Sequence, residues 1–130
     1  MADKKVAALP VRTGRRGNEI LLVTSRQKGK WIIPRGKRSK RLPDRDAAAR
    51  EALQEGGVEG NIGPRLGRYF TKRGACIDVY LLSVHVQRRQ WEEQADRERR
   101  WCSLRHAREL VCDQGLKELL EGVELKASTV

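Results

Sequence analysis

The sequence predicts one domain of the α/β (α+β) class, a mixed β-sheet with helices on its faces. Three observations carry this. The segments run strand, strand, strand, helix, strand, strand, helix, an order that builds a sheet covered by helices. Apolar runs of four, Ile20 to Val23 and Val79 to Leu82, have the length of buried strands. The chain has 130 residues and a mass of 14.8 kDa, enough for one modest core. No strongly apolar run exceeds these four residues, so a transmembrane helix and a membrane partner are not expected. The opening Met-Ala-Asp-Lys-Lys lacks the apolar stretch of a secretory signal. Three cysteines, Cys76, Cys102 and Cys112, are an odd number without a Cys-x-x-Cys pair. That argues against a disulfide framework or structural zinc, and for partly buried thiols in a reducing cytoplasm.

Each element has its own signal. Val6 to Arg12 and Glu19 to Ser25 read as a hairpin, with Gly14, Gly17 and Asn18 supplying the reversal. Trp31 to Ile33 is a short strand stopped by Pro34. Asp44 is the expected N-cap of a helix through Glu55, rich in Ala, Leu and Glu and ended by Gly56-Gly57. Leu66 to Thr71 and Ile77 to Val86 read as strands joined by Lys72-Arg73-Gly74. Arg100 to Ser103 is a last short strand. Ser103 or Leu104 opens a helix through Val111, and Asp113 caps another through Leu120. About four residues at the start and residues 124–130 are expected to fray. No repeat or linker divides the chain.

The charge is lopsided: 28 Lys+Arg against 17 Asp+Glu gives a formal +11. Such an excess suits a polyanionic partner, either a phosphate-rich small molecule or nucleic acid. Eight basic residues lie between Arg26 and Arg41 without an acidic one: Arg26, Lys28, Lys30, Arg35, Lys37, Arg38, Lys40 and Arg41. The apolar insert Trp31 to Ile33 marks them as held loops rather than a disordered tail. Arg88 to Arg100 mixes both signs and reads as a solvent-facing loop.

Chemistry concentrates on the first helix. Glu51 and Glu55 lie about 40° apart on one helical face and repel each other when both are charged. A hard divalent cation reverses that sign, since Mg²⁺ is held by one or two carboxylates together with substrate phosphates. Ala47 and Ala48, one turn earlier on that face, would let a substrate approach. Ala49, Ala52 and Leu53 lie opposite and can bury against the sheet.

The stretch from Gly36 to Val58 resembles the Nudix box: Gly, five residues, Glu, seven residues, then Arg-Glu-apolar-any-Glu-Glu-any-Gly-apolar. Gly36, Arg50, Glu51, Ala52, Glu55, Gly57 and Val58 match in register. The Trp31 to Gly36 entry, the Trp91-Glu92-Glu93 segment and Arg99-Arg100-Trp101 are similar to the diphosphoinositol polyphosphate phosphohydrolase branch. The resemblance implies a Nudix-type α/β/α sandwich over residues 1–130 and a Mg²⁺-dependent hydrolase, with Mn²⁺ as the alternative ion. It implies Glu51, Glu55 and the Gly36 carbonyl as metal ligands, and Arg50 as the residue that orients Glu51.

Leu42 and Gln54 depart from the pattern, each standing where the box has glutamate. Gln54 offers an amide oxygen but neither charge nor a base. Glu93 is the candidate replacement base. The expected reaction is water attack on a diphosphate bond of a polyanion such as a diphosphoinositol polyphosphate or dinucleoside polyphosphate. Arg26, Lys28, Lys30, Arg35, Lys37 and Arg38 would bind the other phosphates. Two rival readings stay open: a weak or inactive Nudix-fold module binding polyphosphate or RNA, and an RNA 5′-end pyrophosphohydrolase.

Overall fold

The computed structural model describes residues 3–27 and 29–123. The expected frayed segment 124–130 and Lys28 lie outside them. Strand β1 spans Lys4–Gly14 and β2 Gly17–Thr24, the expected hairpin. β3 is Trp31–Ile32 and β4 Arg35–Lys37; α1 is Asp44–Gly56. β5 is Val58–Phe70, β6 Cys76–Gln87 and β7 Arg99–Ser103. Helices α2, Leu104–Leu110, and α3, Gln114–Gly122, follow. The sheet runs β3-β2-β1-β6-β5, with β4 also paired to β1 and β7 to β2. β1 and β6 are parallel while the other pairs are antiparallel, so the sheet is mixed as expected.

The apolar runs follow from burial on both faces. Side chains alternate across a strand. Thus Ala7, Leu9, Ile20 and Leu22 pack with Ala107, Leu116 and Leu120 of α2 and α3. Val6, Ala8, Leu21 and Val23 pack with Ala47, Ala48 and Ala52 of α1. A strand covered on both sides has no need of polar alternation. The alanines bring α1 close to the sheet: a Cβ at Gly56 would stand 2.8 Å from a Leu21 methyl. Leu42 also packs against this cluster, so the apolar residue at that box position serves the core.

Several expectations change. Pro43 is the N-cap of α1 without a side-chain hydrogen bond, and Asp44 is the first helical residue, paired with Arg38 at 3.0 Å. Ala47 and Ala48 are fully buried and leave no room for a substrate, because the face they share with the carboxylates is the packing face. Ala49 and Leu53, expected in the core, are only half-buried. β5 begins eight residues before Leu66, and its register shifts after Glu59, Ile62 and Arg65. Gly60, Gly63, Pro64 and Gly67 disguise it, and such residues are tolerated at a bulged edge strand.

The ends of α1 and its neighbours fix the site. Gly57, at φ 66°, closes the helix through N–H bonds to the Ala52 and Leu53 carbonyls. Cys76 and Cys102 are buried, but Cys112, between α2 and α3, is exposed, against the expectation of three partly buried thiols. Lys4 already pairs in β1, so the expected fraying does not reach it. Among the described residues, no helix is long and apolar enough to cross a membrane.

Candidate active site

Glu55 sits on the last turn of α1 and is 2% exposed. The backbone N–H of Arg35 donates to its Oε1 at 3.2 Å. Burial, and then a hydrogen bond with Glu51, push the Glu55 carboxyl up to about 8. Arg97, 3.7 Å away, opposes this without cancelling it. Taking a carboxyl out of water and setting it beside another acid both disfavour its charged form. Gly36 completes the corner: a Cβ there would fall on the Glu51 carboxylate. Two carboxyls meeting over a side-chain-free residue fit a hard cation that keeps several waters. Among the described residues, no group of three or more His, Cys, Asp or Glu is placed to hold a metal. Any such ion would rely on Glu51, Glu55, main-chain oxygen and its substrate.

A cleft of about 1090 Å³ opens beside Glu55. Its cationic lining comes from Lys5, Arg26, Lys30, Arg35, Lys72, Arg73 and Arg97. Arg35 is fixed at both ends, since its guanidinium donates to the Tyr69 hydroxyl at 3.1 Å. Burial pushes that phenol up to about 12, so it stays protonated. Trp31 lines the cleft and also packs against the core, which joins the roles of sheet anchor and site wall.

Of the predicted substrate contacts, Arg26, Lys30 and Arg35 line the cleft, whereas Lys37 and Arg38 do not. Lys37 is exposed at the end of β4, and Arg38 is taken by Asp44. Lys5, Lys72, Arg73 and Arg97 were not singled out by sequence. They lie far from the basic run and reach the cleft only through the sheet and its turns. Arg50 is exposed and, among the described residues, makes no ion pair with Glu51. Neighbours on a helix diverge by about 100°, which carries Arg50 away from the site.

Arg88 to Arg100 is mostly exposed, as expected of a solvent-facing loop, but Trp91, Glu93, Arg97 and Arg99 are half-buried. They clasp the C-terminal end of α1. Glu93 donates its N–H to the Gln54 carbonyl at 3.0 Å, and Trp91 Nε1 donates to that of Glu55 at 2.9 Å. Arg99 lies 3.9 Å over the Trp91 ring and donates to the Gly56 carbonyl at 3.0 Å. Three consecutive carbonyls at the negative end of a helix thus find donors. Gln54 takes part through its carbonyl. Glu93, the expected base, is held by two arginines, Arg97 at 2.7 Å and Arg26 at 3.0 Å, and does not line the cleft. These two contacts are charge-assisted and occupy one oxygen of the carboxylate.

Fold, box and cleft define a class, and comparison with known proteins agrees. The chain matches the NUDIX domain model over residues 3–121, and it belongs to the Nudix family. It is 34% identical over 125 residues to Nudix hydrolase 21, chloroplastic, of Arabidopsis thaliana, covering 89% of this chain and 63% of that protein. It is 31% identical over 131 residues to human diphosphoinositol polyphosphate phosphohydrolase 3-beta, covering 96% and 80%. The chain spans 52% to 63% of the length of three Arabidopsis relatives. Among solved structures, a C. elegans Ap4A hydrolase binary complex superposes with a TM-score of 0.75 at 18% identity, over 90% of this chain and 92% of that one. The NUDIX domain of Shewanella oneidensis NrtR, complexed with ADP ribose, gives 0.72 at 18% identity, over 93% and 85%. At these identities the structural likeness establishes the fold.

Proposed function

We propose that this chain is a divalent-metal-dependent hydrolase of a diphosphate bond in a phosphate-rich small molecule. The observation that carries the reading is the Glu51–Glu55 corner at Gly36, of which Glu55, though not Glu51 or Gly36, lines a cleft with seven cationic side chains. Glu51 and Glu55 would hold Mg²⁺ or Mn²⁺, with the Gly36 carbonyl beside them. The ion would supply Lewis acidity and neutralise phosphate charge. Arg35, fixed by Tyr69 and Glu55, grips a phosphate beside the carboxyl corner. Lys30 and Arg26 act from the β2–β3 loop, and Lys72 and Arg73 from the β5–β6 turn. Cations on two separate loops suit a substrate with phosphates at more than one point, such as a diphosphoinositol polyphosphate or a dinucleoside polyphosphate. The relatives named for the first class and the fold neighbour named for the second support that pair.

A phosphate-release screen with Mg²⁺ and with Mn²⁺ tests the reading. It should cover inositol pyrophosphates, dinucleoside polyphosphates, nucleoside diphosphate sugars and RNA 5′ ends. Turnover is expected on the first two. Gln54 and Leu42, with only two carboxyls at the corner, favour one second reading, a binding module of low activity. Tight substrate binding without turnover would select it.

A further inference from the structure

Glu93 has a more specific place than a solvated loop carboxylate. Its Oε1 accepts from Arg97 Nε at 2.7 Å and lies 3.0 Å from Arg26 Nη2. Its side chain is 12% exposed. Both arginines line the cleft and Glu93 does not. Arg97 is also fixed by Nη1 donating to the Thr24 carbonyl at 2.9 Å, which commits two of its five donors and leaves the others for Glu55 and the cleft. The Arg26 side chain is 57% exposed, with Asp96 Oδ2 more distant at 4.0 Å, and without Glu93 it would lose more rotamer freedom on meeting a ligand. Two guanidinium groups side by side also repel, and the carboxylate between them removes that repulsion. Through its N–H on Gln54, Glu93 fixes this pair relative to the helix that carries Glu51 and Glu55.

We propose that Glu93 is a positioning residue that presents Arg26 and Arg97 together as a phosphate clamp, and that it is not the general base. The proposal rests on reading the cleft as the diphosphate site. Its test separates binding from turnover. Inorganic tripolyphosphate and orthophosphate are titrated calorimetrically into the full chain in EDTA, for wild type, Glu93→Gln, Glu93→Asp, Arg26→Ala and the Arg26→Ala/Glu93→Gln double variant. KM and kcat are measured with Mg²⁺ on the best diphosphate substrate. Glu93→Gln should weaken tripolyphosphate binding and raise KM by about tenfold, the scale of one charge-assisted contact, while kcat changes less than about threefold. Orthophosphate, which engages fewer donors, should be affected less. Glu93→Asp should recover part of the loss. Arg26→Ala should cost less in the Glu93→Gln background than alone, because the two act together.

A hundredfold fall in kcat with KM and tripolyphosphate affinity unchanged would restore the base and overturn the clamp. So would additive losses in the double variant. Thermal unfolding checks each protein, and if Glu93→Gln does not fold, unchanged tripolyphosphate affinity in Arg26→Ala overturns the clamp. A wild type that binds tripolyphosphate without hydrolysing any substrate ends the hydrolase reading and leaves the clamp standing. A wild type that hydrolyses substrate but does not bind tripolyphosphate does the reverse.

Discussion

At the scale of single residues, Glu55 pairs chemistry with a stability cost. Its carboxyl is raised from an ordinary 4.5 to about 8 by burial and by Glu51. The folded state therefore holds this proton more tightly than the unfolded chain. Stability of the metal-free protein should fall as pH rises from about 4.5, and the loss should be complete above about 8. Glu55→Gln mimics the protonated acid and should remove this contribution. At pH 9 in EDTA the variant should be more stable than wild type by about 2 kcal/mol or more. Mg²⁺ should stabilise wild type and have little effect on the variant. Unfolding followed from pH 5 to 9, with and without Mg²⁺, checks both; parallel curves in EDTA would remove Glu55 as the titrating group. Gly36 makes the complementary case. Gly36→Ala places a methyl on the Glu51 carboxylate and should weaken metal binding about tenfold or more, while the protein still folds. Metal titration by calorimetry measures it, and unchanged affinity would take Gly36 out of the site.

At the scale of elements, what the sequence showed and hid has a physical pattern. Signals carried by neighbouring residues were legible: the β1–β2 turn, α1 with its glycine stop, and the caps at Ser103 and Asp113. β4 was hidden because Pro34 and Gly36 read as breakers, and it forms only through pairing of Lys5 to Ala7 with residues some thirty positions away. The Glu51–Glu55 pair was legible from helix spacing and the box, but the burial of Glu55 was not, since it depends on how α1 lies against β4 and on Arg97, far along the chain. The clasp at 88–99 was hidden for the same reason: its donors meet carbonyls of α1 some 35 to 45 positions earlier. The clasp predicts a measurable contribution. Trp91→Phe keeps the ring near Arg99 and removes the N–H to the Glu55 carbonyl. It should cost about 1 kcal/mol in denaturant unfolding. It should also weaken metal binding if the clasp sets the position of Glu55. A variant as stable as wild type would show that the helix end needs no such donor.

For the whole molecule, the question is which part of the +11 charge the substrate feels. A reading by sequence density assigns it to the run from Arg26 to Arg41. The fold splits that run. Arg26, Lys30 and Arg35 enter the cleft, while Lys37 to Arg41 pass over the entrance of α1, and Lys72 and Arg73 arrive from the β5–β6 turn. Charges interact over about 8 Å at physiological ionic strength, so place in the fold outweighs place in the chain. Two double variants with the same change in net charge separate these views. Lys72→Ala/Arg73→Ala removes two cleft cations, and Lys40→Ala/Arg41→Ala removes two exposed ones outside it. Tripolyphosphate affinity, measured from low to high salt, should fall steeply for wild type. The first pair should lower the low-salt affinity by about tenfold or more and flatten the salt slope. The second should leave both close to wild type, because its charges are screened from the ligand. If the two pairs behave alike, net charge rather than the cleft governs binding. If only the Lys40/Arg41 pair matters, the ligand lies over the α1 entrance instead.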